Sequence, residues 1–520
     1  MKTRKIKITL SILLIFLSLI RCVYAQKPKT QKTPNIRITD DVNSLDWQRG
    51  NSIYDRILFC NIMEGLTEVD FSLQVQPALA QEWTVSDDEL TYTFRLKENV
   101  KWSNGSKVTA DNFIQAWKRL LDPAEKNQFS YLLYNVVNAE EFSKGKLKDF
   151  SKVGFKTPDD KTIEIRLKKT TNYLPYLMAS HLLAPIESKF LSQVKTNPTL
   201  WKDHTKVPTT GPYIIEKWIK KKKIDFKFNN QYHGPKPEVE KATYTVIPDI
   251  TQATQAFLLN DVHVLPGVDD NTVFRIKTTE KPAILETYKY LDTVYLGFNF
   301  KSQIFSSLEN RKLVSKILNK NTISKLISSK YEAANSLVPS GITGAWTYTE
   351  PNEENPIKAT NLKNKTIKIL ASNYAAHHAL ADIVKDRLLK ELNLNATVEI
   401  VPAVDLEKTI LTHSHDIFIG VLDADIPHAS LLLRPFLSNS TRNILALENK
   451  DLDYMLNSFE EKSEEENLEP LRIAQKILLK DLVALIPVYH TNTRIFWADP
   501  VEHFEVTPLK QVFIKNIRMK

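Results

Sequence analysis

The stretch HDIFIGVLDAD, residues 415–425, indicates an α/β fold. Residues 417–422 form an uninterrupted apolar run, which is typical of a strand buried in a sheet covered on both faces. Asp423 and Asp425 follow at the carboxyl end of this predicted strand, where open α/β sheets bind their ligands. Asp425 is therefore a candidate to bind the ammonium group of a small solute. The alternative is that the two acids only begin a polar loop.

The rest of the chain supplies further strands and helices of a mixed α/β protein. TIKIL at 366–370, apolar residues at helical spacing through 380–392, and TVEIV at 397–401 have the length of a right-handed strand–helix–strand crossover. Residues 91–96 alternate in the β manner, and an amphipathic helix begins after Thr109. We also predict helices at 250–259 and 471–482 and a short buried strand at 484–489.

Residues 1–25 have the pattern of a signal peptide. Positive residues precede an apolar core at 8–20, which is too short to span a bilayer comfortably, and cleavage is predicted after Ala25. We therefore expect an exported, periplasmic protein. Cys22 would permit lipid attachment instead, although Arg21 directly before it fits that processing poorly.

Charge and cysteine content narrow the class of protein. The formal net charge is +9, and five of the positive charges lie in residues 1–25, so the remaining chain carries +4. So small an excess over 61 acidic residues gives no evidence for a nucleic-acid partner. After cleavage Cys60 would be the single cysteine, so folding must depend on the core, and 520 residues imply two or three domains.

The sequence lacks the common motifs of catalysis and cofactor binding. It contains no glycine-rich phosphate loop, no H-E-x-x-H, no paired-cysteine motif and no G-x-S-x-G. His377 and His378 are adjacent on a predicted helix, so their side chains diverge. His413 and His415 could lie on one face of a strand, but a solvent-exposed strand entry is the simpler interpretation. We expect no enzymatic activity, no cofactor and no metal.

Several segments resemble the bacterial extracellular solute-binding proteins of family 5, the oligopeptide- and dipeptide-binding proteins. The most specific segment is VKWSNGSKVTADNF at 100–113, which matches the family at most positions in type and order. The likeness covers essentially the whole chain after residue 25. Other matching segments are IMEGL at 62–66, residues 79–96, TGPY at 210–213, NNQYHGPKP at 229–237 and IPVY at 486–489.

The resemblance implies a two-lobed clamshell of the periplasmic-binding-protein type, class II, with an extra domain and mixed β-sheets flanked by helices. It also implies the substrate-binding component of an ABC importer, whose lobes close around a short peptide before docking on a membrane permease. We further expect a monomer. The implied divisions are domain I at 26–66, 205–288 and 485–520, domain II at 67–204, and domain III at 289–484.

The same resemblance implies roles for individual residues. Asp425 aligns with the acid that binds the amino terminus of the peptide. The backbone of the ligand would pair with residues 51–53 and 422–424 like an added β-strand. The other residues expected at the site are Asp423, Ala424, Leu422, Asn51, Ser52, Ile53, Phe129, Tyr489 and His490.

The sequence departs from the family pattern at four of these or neighbouring positions. Leu422 replaces a common tryptophan, Phe129 replaces a tyrosine of some members, and Ile419 replaces an arginine of others. Asp423 adds a second acid. These changes remove one positive charge and add one negative charge, so we expect a preference for more cationic ligands.

Two other classes of function stay open at this stage. The same scaffold could bind a different solute, such as a metal chelate, a sugar or a cell-wall fragment, because a fold does not fix a function. Alternatively, the chain could be an exported adhesin or chaperone that binds no solute. Substitution of Asp425 by alanine would separate these classes.

Overall fold

The computed structural model describes residues 33–42, 44–50, 52–318, 320–347, 362–424, 426–440, 442–458 and 468–520. The predicted signal peptide therefore lies outside the described residues, as do two predicted site residues, Asn51 and Asp425. No helix within these ranges is long and apolar enough to cross a membrane.

Strands and helices alternate along the described chain. The strands are β1 (Asn35–Ile38), β2 (Thr67–Val69), β3 (Val75–Pro77), β4 (Ala80–Val85), β5 (Thr91–Leu96), β6 (Phe155–Asp159), β7 (Thr162–Arg166), β8 (Tyr213–Ile219), β9 (Lys223–Phe228), β10 (Lys241–Val246), β11 (Val264–Pro266), β12 (Ile284–Phe298), β13 (Glu332–Ala333), β14 (Thr366–Ser372), β15 (Asn395–Val401), β16 (Ile417–Asp423), β17 (Leu485–Trp497), β18 (Val501–His503) and β19 (Arg518–Met519). The α-helices are α1 (Ile53–Ile62), α2 (Ala110–Leu121), α3 (Ala139–Ser143), α4 (Leu174–Leu177), α5 (Ser188–Thr196), α6 (Ile250–Leu258), α7 (Asp270–Lys277), α8 (Leu308–Ile317), α9 (Lys320–Ile327), α10 (Ala375–Leu392), α11 (Leu406–Ile410), α12 (Ala429–Leu433), α13 (Lys450–Asn457) and α14 (Glu469–Lys476).

One large mixed sheet organises the molecule and confirms the predicted α/β class. Its strand order is β15-β14-β16-β12-β17-β11-β1-β10-β9-β8, with β13 added beside β17. A separate four-stranded antiparallel sheet has the order β4-β5-β7-β6, and it lies within residues 67–204. Two small two-stranded sheets, β2-β3 and β18-β19, complete the arrangement of the described strands.

The predicted strand–helix–strand crossover is confirmed. β14 and β15 pair in parallel from Thr366–Asn395 to Ser372–Val401, and α10 connects them. Leu380, Val384 and Leu388 on α10 are fully buried at helical spacing, which is the pattern that predicted the helix. The apolar run at 417–422 likewise forms β16, whose residues 417–420 are buried.

The long strands β12 and β17 join the two halves of the large sheet. They pair antiparallel along most of their length, and their register shifts between Lys289 and Thr293. We call residues 26–288 with 485–520 lobe 1 and residues 289–484 lobe 2, following the predicted domains. β12 then passes from lobe 1 to lobe 2, whereas β17 belongs to lobe 1. The register shift lies at this boundary, and we call the region around it the predicted hinge. The predicted strand at 484–489 was too short, because β17 continues to Trp497.

Two pairs of glycine and aromatic residues hold β12 against β16. Tyr295 lies opposite Gly420, and Phe418 lies opposite Gly297. A Cβ atom on Gly420 would stand 2.5 Å from the ring of Tyr295, and one on Gly297 would stand 2.3 Å from the ring of Phe418. The glycines are therefore required by the rings that fold over them, which explains why Gly420 stands among the larger residues of the apolar run.

The predicted helices are present, with one change. The segments predicted at 250–259 and after Thr109 form α6 and α2, and Thr109 caps α2 in a reciprocal capping box with Asn112. The helix predicted at 471–482 instead comprises α14 and a π-helical turn, Ile477–Asp481.

Candidate functional site

The order of strands changes direction between β14 and β16. The chain leaves β14 through α10 to β15 on one side and returns to β16 on the other side of β14. In α/β sheets the crevice outside the carboxyl ends of the strands at such a point is the usual ligand site. Ser372 ends β14 and Asp423 ends β16, so these residues border the crevice.

One edge of β16 is open beyond its first two residues. β14 pairs with β16 at Ile417 and Phe418, and within the described chain no strand continues that ladder toward Asp423. On the opposite edge Ala424 donates its N–H to the carbonyl of Leu291, 3.3 Å. Because backbone groups alternate between the two edges of an antiparallel strand, those of Val421 and Asp423 face the open edge. Among the described residues, no strand pairs with the main-chain donors and acceptors of this segment on that edge.

Asp423 is bound by two cations of lobe 1. The guanidinium of Arg56, on α1, donates to both carboxylate oxygens, with Nη1–Oδ1 at 3.3 Å. Lys510 Nζ donates to Asp423 Oδ1 at 3.1 Å. The side chain of Asp423 is 30% exposed, whereas those of Arg56 and Lys510 are 8% and 11% exposed. The end of β16 is therefore tied to lobe 1 by partly buried ion pairs.

A second carboxylate, Asp292, completes this cluster. It lies directly opposite Asp423 in the β12–β16 ladder and forms an ion pair with Lys510. Thr491 Oγ1 donates to Asp292 Oδ2 at 3.0 Å, so the cluster reaches the hinge region of β17. We call Arg56, Lys510, Asp292 and Asp423 the lobe-bridging cluster. Its members come in equal numbers from lobes 1 and 2.

The two carboxylates of the lobe-bridging cluster have opposite pKa shifts. Burial opposes ionisation of Asp423, but Arg56 and Lys510 outweigh it and hold its pKa well below the ordinary range. Burial and the neighbouring Asp423 raise the pKa of Asp292, although Lys510 opposes this. The pKa of Lys510 is raised because the two carboxylates outweigh the effect of burial. Asp423 is thus the ionised partner of both cations.

Two described residues close to Asp425 in the sequence, Asp423 before it and His428 after it, both touch lobe 1. Asp423 contacts Arg56 and Lys510, and the ring of His428 packs on Tyr173 with centroids 4.4 Å apart. Tyr173 belongs to the segment predicted as domain II. The assignment of Asp425 to the amino terminus of a ligand remains a prediction, because Asp425 lies outside the described residues.

Ser52 and Ile53 lie at the start of α1, one turn before Arg56. Ser52 is the N-cap: its Oγ accepts from the N–H of Asp55 at 3.1 Å, and its own N–H donates to Asp55 Oδ2 at 2.9 Å. This capping box occupies the backbone donor of Ser52. Ile53 is half-buried. Asn51 lies outside the described residues.

Leu422 and Ala424 are buried beside Asp423. They are 5% and 1% exposed, and Leu422 lies opposite Thr293 in the ladder. Thr293 Oγ1 in turn is 3.0 Å from His490 Nδ1, and Ser336 Oγ is 3.3 Å from His490 Nε2. Burial lowers the pKa of His490. Leu422 and His490 are therefore linked through Thr293 across three strands at the hinge.

Phe129 and Tyr489 lie in hydrophobic cores. Phe129 is 6% exposed within the largest core cluster. Tyr489 is 1% exposed and stacks on Tyr331, with ring centroids 4.3 Å apart and an interplanar angle of 16°. Both side chains are occupied by packing in this conformation, so their expected contact with a ligand stays a prediction that the geometry does not support.

Arg56 and Lys510 are the residues that the sequence analysis missed. The expectation of a more acidic pocket counted Asp423 without them, and in the structure two cations compensate that acid. A second missed feature borders the crevice from β14: Ser372 Oγ is 2.6 Å from Nδ1 of His377 on the first turn of α10. Burial lowers the pKa of His377 to about 4. A histidine on the first turn of a helix that follows a strand is the signal that could have found it.

Metal ligation was not expected, and no group of three or more His, Cys, Asp or Glu residues within the described ranges is arranged to hold an ion. His413 and His415 do not share a strand face, because β16 begins only at Ile417 and His413 has a left-handed backbone with φ of 52°. Cys60 is half-buried, and its removal from water raises the pKa of its thiol to about 12.

The chain belongs to the bacterial extracellular solute-binding proteins, family 5, whose middle region matches residues 74–444. The resemblance noted from the sequence is thus confirmed over well more than half of the chain. The family is one of solute-binding proteins.

Individual relatives match over most of their length. The chain is 25% identical over 505 residues to the periplasmic oligopeptide-binding protein OppA of Salmonella typhimurium, covering 92% of this chain and 90% of that protein. It is 23% identical over 471 residues to the probable deoxycholate-binding periplasmic protein YgiS of Escherichia coli, covering 86% of each. The murein tripeptide binding protein MppA of Escherichia coli shares the fold with a TM-score of 0.84 at 19% identity, covering 94% of this chain and 99% of that one.

Proposed function

We propose that the chain is the exported substrate-binding component of an ABC importer that captures short peptides between lobes 1 and 2. The observation that carries this proposal is the open edge of β16 beyond Phe418. An extended peptide can add to such an edge as a further strand, and main-chain pairing accepts many side chains. The Salmonella relative named for oligopeptide binding supports the same class of ligand.

The proposal assigns Asp425 to the ammonium group of the peptide. Its described neighbours Asp423 and His428 both contact lobe 1, which supports a place for Asp425 between the lobes. Asp423 does not compete for this role, since Arg56 and Lys510 already bind it. Closure of the lobes would exclude water and strengthen the remaining carboxylate–ammonium pair. The closed complex would then deliver the peptide to a membrane permease.

Export and monomeric state belong to the same proposal. The pattern of residues 1–25 supports secretion with cleavage after Ala25. The chain would act without covalent chemistry, because capture and release need only the two lobes and the crevice between them.

Calorimetric titration with a matched pair of ligands tests the role of Asp425. The two ligands are trialanine and N-acetyl-trialanine, which differ in the charge of the amino terminus. We expect the wild type to lose affinity by tenfold or more on acetylation, since truncating one partner of a desolvated charge pair costs about 2 kcal/mol or more. Asp425→Asn should bind trialanine as weakly as the wild type binds the acetylated ligand.

The control is Asp382→Asn on α10, whose side chain is 60% exposed. It should leave both affinities unchanged. If Asp425→Asn still discriminated between the two ligands as the wild type does, the assignment of the ammonium group to Asp425 would be wrong. Native mass spectrometry of protein taken from its host would identify the co-purifying ligand and test the peptide class directly.

A binder of a non-peptide solute is the second candidate. It is favoured by one observation, the match to a relative named as a probable deoxycholate-binding protein. A solute without an amine would bind equally well to the wild type and to Asp425→Asn. Titration with deoxycholate and with trialanine separates the two candidates. A peptide binder should bind trialanine and not deoxycholate, and a binder of the second kind should bind deoxycholate and not trialanine.

A further inference from the structure

We propose that Arg56 and Lys510 are positioning residues that bind Asp423 across the two lobes and so hold the carboxyl end of β16 in the closed, ligand-holding position. The inference rests on the proposed function, since it concerns how the crevice for the solute is closed. It assigns to the protein itself a set of lobe–lobe contacts that does not depend on the charge of the ligand.

The contacts of the lobe-bridging cluster are made between lobes. Arg56 lies on α1 and Lys510 near the carboxyl terminus, both in lobe 1. Asp292 lies within β12 and Asp423 ends β16, both in lobe 2. A rotation that opened the crevice would move Asp423 away from Arg56. The packing of His428 on Tyr173 is a second lobe–lobe contact on the far side of Asp425. The segment that carries Asp425 is thus flanked by two lobe–lobe contacts.

Because its members are largely buried, the lobe-bridging cluster is stable only when all four are present. Asp292 and Lys510 are 5% and 11% exposed, and Arg56 is 8% exposed. Taking such charges out of water is costly, and the cost is recovered only where every charge has its partner in good geometry. In the described structure each of the two acids lies against at least one of the two cations. Removal of one member leaves a buried charge uncompensated and should favour the open form, in which water reaches it.

The lobe-bridging cluster is also linked to the hinge. Asp292 accepts a hydrogen bond from Thr491 on β17, next to the shift of register between β12 and β17. Lys510 Nζ lies 5.5 Å from the centre of the Tyr290 ring on the same stretch of β12. The position of Lys510 is therefore set by the hinge strands, and through Asp423 it sets the position of the end of β16.

A consequence concerns the ligand. Because Asp423 is bound by Arg56 and Lys510, it is not available to a cationic side chain of a peptide. The closed form therefore needs no particular charge from the ligand at this point, and the expected preference for cationic peptides loses one of its two grounds, the added charge of Asp423. A binder that accepts varied side chains gains from such an arrangement.

Small-angle scattering of the ligand-free protein tests closure directly. We expect Arg56→Gln and Asp423→Asn each to raise the radius of gyration, and the double variant to raise it no further. Arg56→Lys should retain most of the closure, because it keeps the charge. The control is Arg119→Gln, which breaks the buried pair with Asp46 inside lobe 1 (side chains 11% and 6% exposed). It should lower the melting temperature without changing the radius of gyration.

Affinity for trialanine provides the second readout. Arg56→Gln and Asp423→Asn should each weaken binding about tenfold, with no additional loss in the double variant. A radius of gyration and an affinity that stay at the wild-type values in folded Asp423→Asn would overturn the proposal. A wild type that binds no peptide, while the scattering results hold, would refute the proposed function and leave the lobe-bridging role intact.

Discussion

Replacement of His415 by leucine should make the stability of the protein less sensitive to acid. The imidazole is 3% exposed, and neither of its ring nitrogens has a hydrogen-bond partner in the part of the chain that the structure describes. The ring packs edge-on against Phe418, with centroids 5.4 Å apart. Leucine has a similar size and no polar atoms, so it can fill this space without leaving an unpaired donor or acceptor.

The magnitude follows from the pKa of the imidazole. Burial lowers the pKa of His415 from the ordinary 6.5 to about 4, and the neighbouring His413 acts in the same direction. Between these values the unfolded chain binds a proton that the native protein does not, so the free energy of unfolding falls as the pH drops through this range. The full difference corresponds to about 3 kcal/mol. Leucine does not titrate and removes this contribution. The free energy of unfolding of His415→Leu, relative to that of the wild type, should therefore rise by about 3 kcal/mol from neutral pH to pH 4.

The measurement is urea unfolding followed by tryptophan fluorescence, from above pH 6.5 down to about pH 4. The two lobes can unfold in separate steps, so the transition that includes β16 must be followed by itself. His378→Leu is the control, because the side chain of His378 is 55% exposed. If the difference in free energy of unfolding between His415→Leu and the wild type stayed constant over the whole pH range, the imidazole would not be buried in its neutral form.

Two further substitutions test the packing around the site. Gly420→Ala should lower the free energy of unfolding by about 1–3 kcal/mol, because the new Cβ would stand 2.5 Å from the ring of Tyr295; an unchanged denaturation midpoint would mean that β12 and β16 pack less tightly than described. Tyr489→Leu should destabilise the protein by at least about 0.5–1.5 kcal/mol from the lost stacking on Tyr331 alone, while the affinity of the folded variant for trialanine stays unchanged. A selective loss of affinity in Tyr489→Leu would restore the ligand contact expected from the family resemblance.

Local patterns in the sequence were sufficient for most single elements of the fold. The apolar run at 417–422 gave β16, and helical spacing gave α10, because burial of a strand or of one helix face selects residues at a fixed period. β12 was not predicted over its full length. Its first seven residues are mostly exposed, with only Tyr288 buried, whereas its last eight residues are buried on both faces, so no single period covers the strand.

The candidate site was only half predictable for a different reason. A strand end is a local feature, so the sequence placed Asp423 at the end of β16. The partners of Asp423 are not local: Arg56 is 367 residues away along the chain and Lys510 is 87 residues away. No periodicity or spacing relates these positions. From the sequence, the charge of Asp423 is therefore counted without its partners, and a cationic ligand is expected to balance it.

Asp423 and Asp425 are two residues apart in the sequence, and the separate roles proposed for them follow from the competition for positive charge between the lobes. A carboxylate that closure removes from water must find a cation, either from the protein or from the ligand. Arg56 and Lys510 bind Asp423. Asp292, the other acid of the lobe-bridging cluster, forms an ion pair with Lys510. If the proposed role of Asp425 is right, the ammonium group of the ligand is the remaining cation. The charge of the amino terminus of the ligand would then matter at Asp425 and not at Asp423, whose cations come from the protein.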